Sequence, residues 1–212
     1  MKFNKAKIKS KMNDLENVNP DDLGIYRKVT TSARQCFLLG KSVAGLDEIL
    51  KKHPLNHSES LKIISFSGGF ASISFIKSVA ERETIEYLFA STLRVGEKQV
   101  GVLDDLEFSG KLKHAEFIVG GLMKNDEKTD YDYYGAFTRA CKKNGWRYVV
   151  TNNHSKIILM QTPKNHYVLE TSSNLNENPK IEQFSFENNK ELFDFYKKFF
   201  EKVMEVAEHD SG

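Results

Sequence analysis

Cysteine is scarce: Cys36 and Cys141 are the only two in 212 residues, too few for a disulfide framework or a cysteine zinc site. Long apolar runs are missing as well. Stretches such as Ile157 to Met160 are strand-sized, far below the about 18 residues that a membrane span requires. No apolar h-region follows the basic start Met1 to Met12, which predicts no secretory leader. With the low cysteine count this points to a reduced, cytoplasmic protein. Charge of one sign is not in surplus, with 31 basic against 29 acidic residues. At 40% hydrophobic and 28% charged, the composition excludes a collagen-like, low-complexity or largely disordered chain. The length fits one domain with a small appendage.

What is present is unevenly placed. Between Lys2 and Lys11 there are five lysines and no acid, an arm suited to nucleic acid or another anionic surface. A solvated terminus fits the same residues. Residues 1–20 therefore read as a basic arm ending at Pro20, and 21–60 as an extension packing on the main domain at 61–208. A helix is expected over Val43 to Lys52 and a loop over His53 to Glu59. Strand and helix then alternate. Strands are expected at Leu61 to Phe66, Thr84 to Ala90 and Phe117 to Leu122. Helices are expected at Phe70 to Arg82, Gly96 to Leu106 and Tyr131 to Lys143, the last stopped by Asn144-Gly145. Four strand-like runs follow without helices between them: Trp146 to Val150, Ser155 to Gln161, His166 to Thr171 and Ile181 to Phe186. A last helix over Lys190 to Ala207 starts at Asn188 with Glu191 as a capping pair and buries a stripe of Leu192, Tyr196, Phe199 and Val203, widened by Phe193, Phe200 and Met204. The order predicts an α/β domain with a mixed sheet flanked by helices.

The chemistry concentrates in the second half. His154-Ser155-Lys156 opens an apolar strand, and residues two apart on a strand share a face. An imidazole beside an ammonium suits phosphate chemistry, as nucleophile or acid–base next to a positive clamp. The next strand runs into Thr171-Ser172-Ser173-Asn174, where a hydroxyl and a carboxamide can bind phosphate oxygens. Glu182 opens a further strand, from which its carboxylate can accept the second ring N–H of His154 and fix its tautomer.

Through these residues the chain resembles the phospholipase D superfamily, in a single-motif variant of phage and mobile-element type. His154-Ser155-Lys156 matches that family's His-x-Lys, Ser172-Ser173-Asn174 the Ser-x-Asn of its Gly-Ser-x-Asn element, and Glu182 lies downstream. Two positions depart from the pattern: Gln161 stands where the family has aspartate, and Thr171 where it has glycine. The resemblance implies a phospholipase D-like α/β domain and a metal-independent phosphodiesterase, most plausibly a nuclease. His154 would form a phosphohistidine, Lys156 and Asn174 would balance charge on the phosphate, Ser172 would hold it and Glu182 would orient His154. One motif per chain, where the family's site uses two, implies a homodimer. A non-catalytic DNA-binding module and a diesterase for phospholipid or small diesters are the alternative readings.

Other groups read as structure. Ser67-Gly68-Gly69 reads as a tight turn and lacks the spacing of a phosphate-binding loop. Arg94 reads as a surface residue. Asp104-Asp105, Asp126-Glu127 and Asp130 form no ligand spacing, so neither a metal nor a cofactor is expected. Trp146 and the tyrosines at 131, 133 and 134 read as packing.

Overall fold

The computed structural model describes residues 34–40, 43–52, 54–65, 70–125, 132–176 and 181–209. The basic arm, the Ser67 to Gly69 turn, the acids at 126, 127 and 130, and Tyr131 lie outside the described residues.

Alternation along the strands builds two cores on one sheet. In β3 (Tyr87–Thr92), Leu88 and Ala90 point to one side and Phe89 to the other. The same switch separates Met160 and Ile158 from Leu159 in β6 (Ile157–Gln161), and Leu169 from Val168 in β7 (His166–Thr171). With period-two side chains, both faces of these strands must be covered. On one face lie α1 (Val43–Lys52), α2 (Ser72–Arg82), α3 (Glu97–Phe108) and α4 (Tyr133–Asn144), contributing Leu46, Phe75, Leu103 and Phe137 among others. On the other, α5 (Lys190–His209) sets Phe193, Phe200, Val203 and Met204 against Phe89, Leu159 and Val168.

The remaining strands are β1 (Arg34–Gly40), β2 (Glu59–Ser65), β4 (Ala115–Gly120), β5 (Arg147–Thr151) and β8 (Glu182–Asn188). The described residues form a sheet of eight strands in the order β1-β2-β8-β7-β6-β3-β4-β5. Its middle, from β2 to β3, is antiparallel, whereas β1–β2 and β3–β4–β5 are parallel. This is the expected mixed α/β sheet flanked by helices.

Several boundaries differ for identifiable reasons. The stretch before residue 41 carried no strand expectation, yet β1 pairs with β2 from Arg34 to Gly40. β3 starts at Tyr87 rather than Thr84, since Ile85 makes only an isolated bridge to Leu112. Helix α4 does end at Asn144, and Gly145 takes the left-handed conformation, φ +68°, that favours glycine. The cap of α5 is Asn189, whose Oδ1 accepts from Leu192 N at 3.1 Å. Asn188 is instead a fully buried tie: its Oδ1 accepts from His166 N and its Nδ2 donates to Leu55 O and Asn165 Oδ1. The buried stripe of α5 is correspondingly rotated, so that Phe193 is 1% exposed and Phe199 is 40% exposed. Trp146 packs on Phe117 in the core. Asp104 is paired with Lys143 and Asn144. No helix among the described residues is long and apolar enough to cross a membrane.

Candidate active site

Helix α5 covers β5, β6 and β7. The same face of the sheet toward β8 and β2 is left as an open cleft of about 930 Å³, lined by Lys62, His154, Lys156, Glu170, Ser172, Gln183 and Ser185 among others.

His154 and Lys156 sit at one end of this cleft, in the segment that leads into β6 rather than within it. They are neighbours nonetheless, because Thr171 N donates to Lys156 O at 3.1 Å and extends the β7 pairing past the strand end. Lys156 Nζ lies 3.3 Å from His154 Nδ1 and donates to His154 O at 2.7 Å. Burial pulls the Lys156 pKa below the ordinary lysine value, and the negative charge of Glu182 opposes that pull. The ammonium is donor-only, so it presents a proton to Nδ1 and favours the tautomer with its own proton on Nε2.

The segment is fixed by a residue that the sequence reading did not single out. Asn153 Nδ2 donates to Thr92 O and Ile118 O, both at 3.1 Å, tying it to the ends of β3 and β4. Its Oδ1 accepts from Ser155 N at 3.0 Å and Ser155 Oγ at 2.8 Å, and the Ser155 hydroxyl also meets that of Ser91 on β3. Gly120 permits this closure: a Cβ there would fall 2.9 Å from the carbonyl oxygens of Leu93 and Asn153. The available signal was an asparagine one position before the His-x-Lys pair, a residue type that bonds its own backbone neighbourhood in turns.

Ser172 lies across from this pair. Its N donates to Gln183 O, its hydroxyl donates to a Glu182 oxygen, and Gln183 N donates back to the hydroxyl oxygen at 3.1 Å. Glu182 is 6% exposed. The bond expected between its carboxylate and the His154 ring goes to the Ser172 hydroxyl instead, and the ring nitrogen Nδ1 faces Lys156. Asn174 stands at the side of this group. Its Oδ1 accepts from Leu93 N at 3.3 Å and Thr92 Oγ1 at 3.5 Å, and Asn174 is not among the residues that line the cleft. The loop between Ser172 and Asn174 is anchored to the start of α2, where the Ser72 hydroxyl donates to Ser173 O at 3.0 Å. The fold thus brings His154, Lys156, Ser172 and Glu182 together, with Asn174 alongside them and fastened to β3. Gln161 and Tyr87 pair at the far end of β6, away from this group. Thr171 lines the cleft, its hydroxyl donating to Gln183 O and accepting from Ser173 N.

The sequence matches no protein-family model and no curated protein sequence. Solved structures do resemble the fold. Polyphosphate kinase from Porphyromonas gingivalis aligns with a TM-score of 0.56 at 15% identity, covering 90% of this chain and 32% of that one. Phosphatidylserine synthase of Haemophilus influenzae Rd KW20 aligns at 0.47 and 15% identity, covering 68% and 38%. TrmBL2, an archaeal chromatin protein with a novel mode of DNA binding, aligns at 0.46 and 10% identity, covering 77% and 59%. The chain therefore spans about a third of the length of the first of these. Of these three the first has a TM-score above 0.5, and it carries the class: the domain has a phospholipase D-like fold.

Proposed function

We propose that this chain is a metal-independent phosphodiesterase, a single-motif phospholipase D-like nuclease whose working site forms where two copies meet. The observation that carries this reading is the convergence, at one end of an open cleft, of an imidazole, an ammonium 3.3 Å from it and a hydroxyl held by a buried carboxylate. One imidazole per chain serves as nucleophile or as leaving-group acid, so the reaction calls for the partner's His154 across a two-fold axis. Nε2 of one His154 forms the N–P bond as the P–O bond to the leaving group breaks, and the departing oxygen takes the proton from Nε2 of the partner's His154. Water then gives a proton back to that second ring, its oxygen bonds to phosphorus, and the N–P bond breaks.

Lys156 neutralises the non-bridging oxygens as charge builds on them, and Ser172 holds the phosphate. A bound phosphate also draws the ammonium off Nδ1, which frees that nitrogen to carry the proton that a nucleophilic Nε2 requires. Imidazole supplies both nucleophile and acid, so no metal-bound hydroxide is needed. The five lysines between Lys2 and Lys11 favour nucleic acid as the substrate.

Cleavage of single- and double-stranded DNA, RNA and model diesters in excess chelator tests the reading. Activity should persist with chelator and vanish in His154→Ala, an acid-labile phosphoprotein should be trapped, and light scattering should show a dimer. A well-folded dimer that cleaves none of these substrates, with or without metals, overturns it. Salt-sensitive DNA binding that survives His154→Ala without any cleavage assigns the chain instead to binding alone.

A further inference from the structure

The cleft continues well beyond the group around His154. Register places Lys62 of β2 opposite Ser185 of β8, Ser185 opposite Glu170 of β7, and Glu170 opposite Ile157 of β6. Laterally paired residues point to the same face, and all four line the cleft. With strands about 4.8 Å apart, Lys62 lies three spacings, about 14 Å, from the β6 column that His154 and Lys156 lead into. The Lys62 ammonium is held in place: it donates to the Ser185 hydroxyl and to Glu187 Oε1, the latter at 3.1 Å, and its side chain is 34% exposed. Two of its three donors are so engaged, leaving one for a ligand. Between the two cations stands the carboxylate of Glu170, which accepts from the Tyr196 hydroxyl on α5.

We propose that Lys62 is a second phosphate contact, and that a nucleic-acid strand crosses the sheet from the His154 end to β2. This inference rests on the function proposed above and adds its substrate geometry. The ammonium itself leans over β8 onto Ser185, about two strand spacings, roughly 10 Å, from the β6 column. A single phosphate bound at His154 does not bridge that span, so Lys62 acts on a longer, polymeric substrate. Glu170 sets what lies between the two contacts. A continuous polyanion such as polyphosphate would lay negative charge on that carboxylate. A strand whose phosphates are separated by sugars offers neutral hydroxyl-bearing groups there, which Glu170, Ser185 and Gln183 can hydrogen-bond.

The test compares a fluorescent single-stranded oligonucleotide with bis(4-nitrophenyl) phosphate in the full chain, Lys62→Gln and Glu187→Gln. Thermal melts confirm that each variant folds. Lys62→Gln should weaken oligonucleotide binding about fivefold and reduce its salt slope by about one, with kcat/KM for the small diester unchanged. Glu187→Gln should act in the opposite direction on the oligonucleotide by unmasking the ammonium, and it keeps the test decisive if Lys62→Gln does not fold. Inorganic polyphosphate should compete poorly against the wild type and several-fold better against Glu170→Gln. Equal effects of Lys62→Gln on both substrates, no effect on the oligonucleotide, or strong polyphosphate competition in the wild type overturns the inference. A wild type that hydrolyses the diester but does not bind the oligonucleotide also overturns it while leaving the phosphodiesterase reading intact. Inactivity toward both, without binding, removes both.

Discussion

At the scale of single residues, Glu182 shows how a legible residue can have an illegible partner. Its carboxylate at the head of a strand after the Ser-x-Asn element was readable in the sequence, and the fold sets it against Ser172 and near Lys156. Its contact depends on how the chain turns between β7 and β8, where Ser172 pairs with Gln183 and brings its hydroxyl onto the carboxylate. Glu182 therefore acts on Ser172 by a bond and on Lys156 by charge. Replacing it with glutamine keeps an acceptor for Ser172 but removes the charge that sustains the Lys156 ammonium against burial. Glu182→Gln should lower phosphodiester cleavage by about 10- to 100-fold, by analogy with the hydrogen-bond partners that orient ligands in metal sites. The alkaline limb of its pH–rate profile should also move to lower pH, because the Lys156 pKa falls further once the opposing carboxylate is gone. An unchanged limb would separate Glu182 from Lys156. Lys62 was less legible, since a lone charge inside an apolar strand is ordinary at a sheet surface. Only the register across β8 shows that it shares a cleft with His154.

At the scale of elements, hydrophobic period gave most helices and strands within a few residues, while the asparagines that join them escaped it. A capping asparagine and a core asparagine read alike in sequence, and only packing tells Asn188 from Asn189. Asn189→Ala removes one cap bond and should cost about 1 kcal/mol. Asn188→Ala strips the partners of two partly buried backbone groups and of the Asn165 amide, and should cost about 2–3 kcal/mol. Urea midpoints that ranked the two the other way would restore Asn188 as the cap. Asn153 is the equivalent joint at the site. Asn153→Ala should lose about 2–3 kcal/mol in urea unfolding and should also slow cleavage, since the His154 segment is no longer tied to Thr92 and Ile118. β1 was missed because a strand at the edge of a parallel wing carries no turn signal before it and no alternation long enough to read. The rotated face of α5 has a similar origin: seven of its side chains are large and apolar, and the sheet, not the helix, selects which of them are buried.

At the scale of the whole molecule, polar clusters away from the cleft set the response to acid. Burial pushes the Glu83 pKa up, but the Thr162 hydroxyl, the Asn165 amide and the Tyr167 hydroxyl together hold it below the ordinary value of 4.5. Burial likewise works against Glu116, yet Tyr87, Arg147 and His114 hold its pKa low. Burial, with Lys190 nearby, keeps the His166 pKa below 6.5. In each case the folded state binds fewer protons than the unfolded chain, so the stabilisation is present above the ordinary pKa and is lost as the pH falls through the folded one. Melting temperature should therefore drop as the pH falls from about 7, first through His166 below its ordinary 6.5 and then, below about pH 4.5, through the two glutamates. Glu83→Gln should melt lower than the wild type at neutral pH and show a shallower decline on acidification. A parallel decline in wild type and variant would remove Glu83 from the account.

The strand order also imposes a sequence of events on folding. β2 and β3 are separated in the sheet by β8, β7 and β6, all of which come from the C-terminal third of the chain. As the chain emerges from the ribosome, both strands carry unsatisfied inner edges until that later meander slots between them, and it is a local, quickly formed unit of antiparallel neighbours. His154 and Lys156 ride on this wedge, in the segment that leads into β6. Insertion of the wedge thus completes the sheet and assembles the cleft in one event, and until then the nascent chain carries two open edges for which chaperones and aggregation compete.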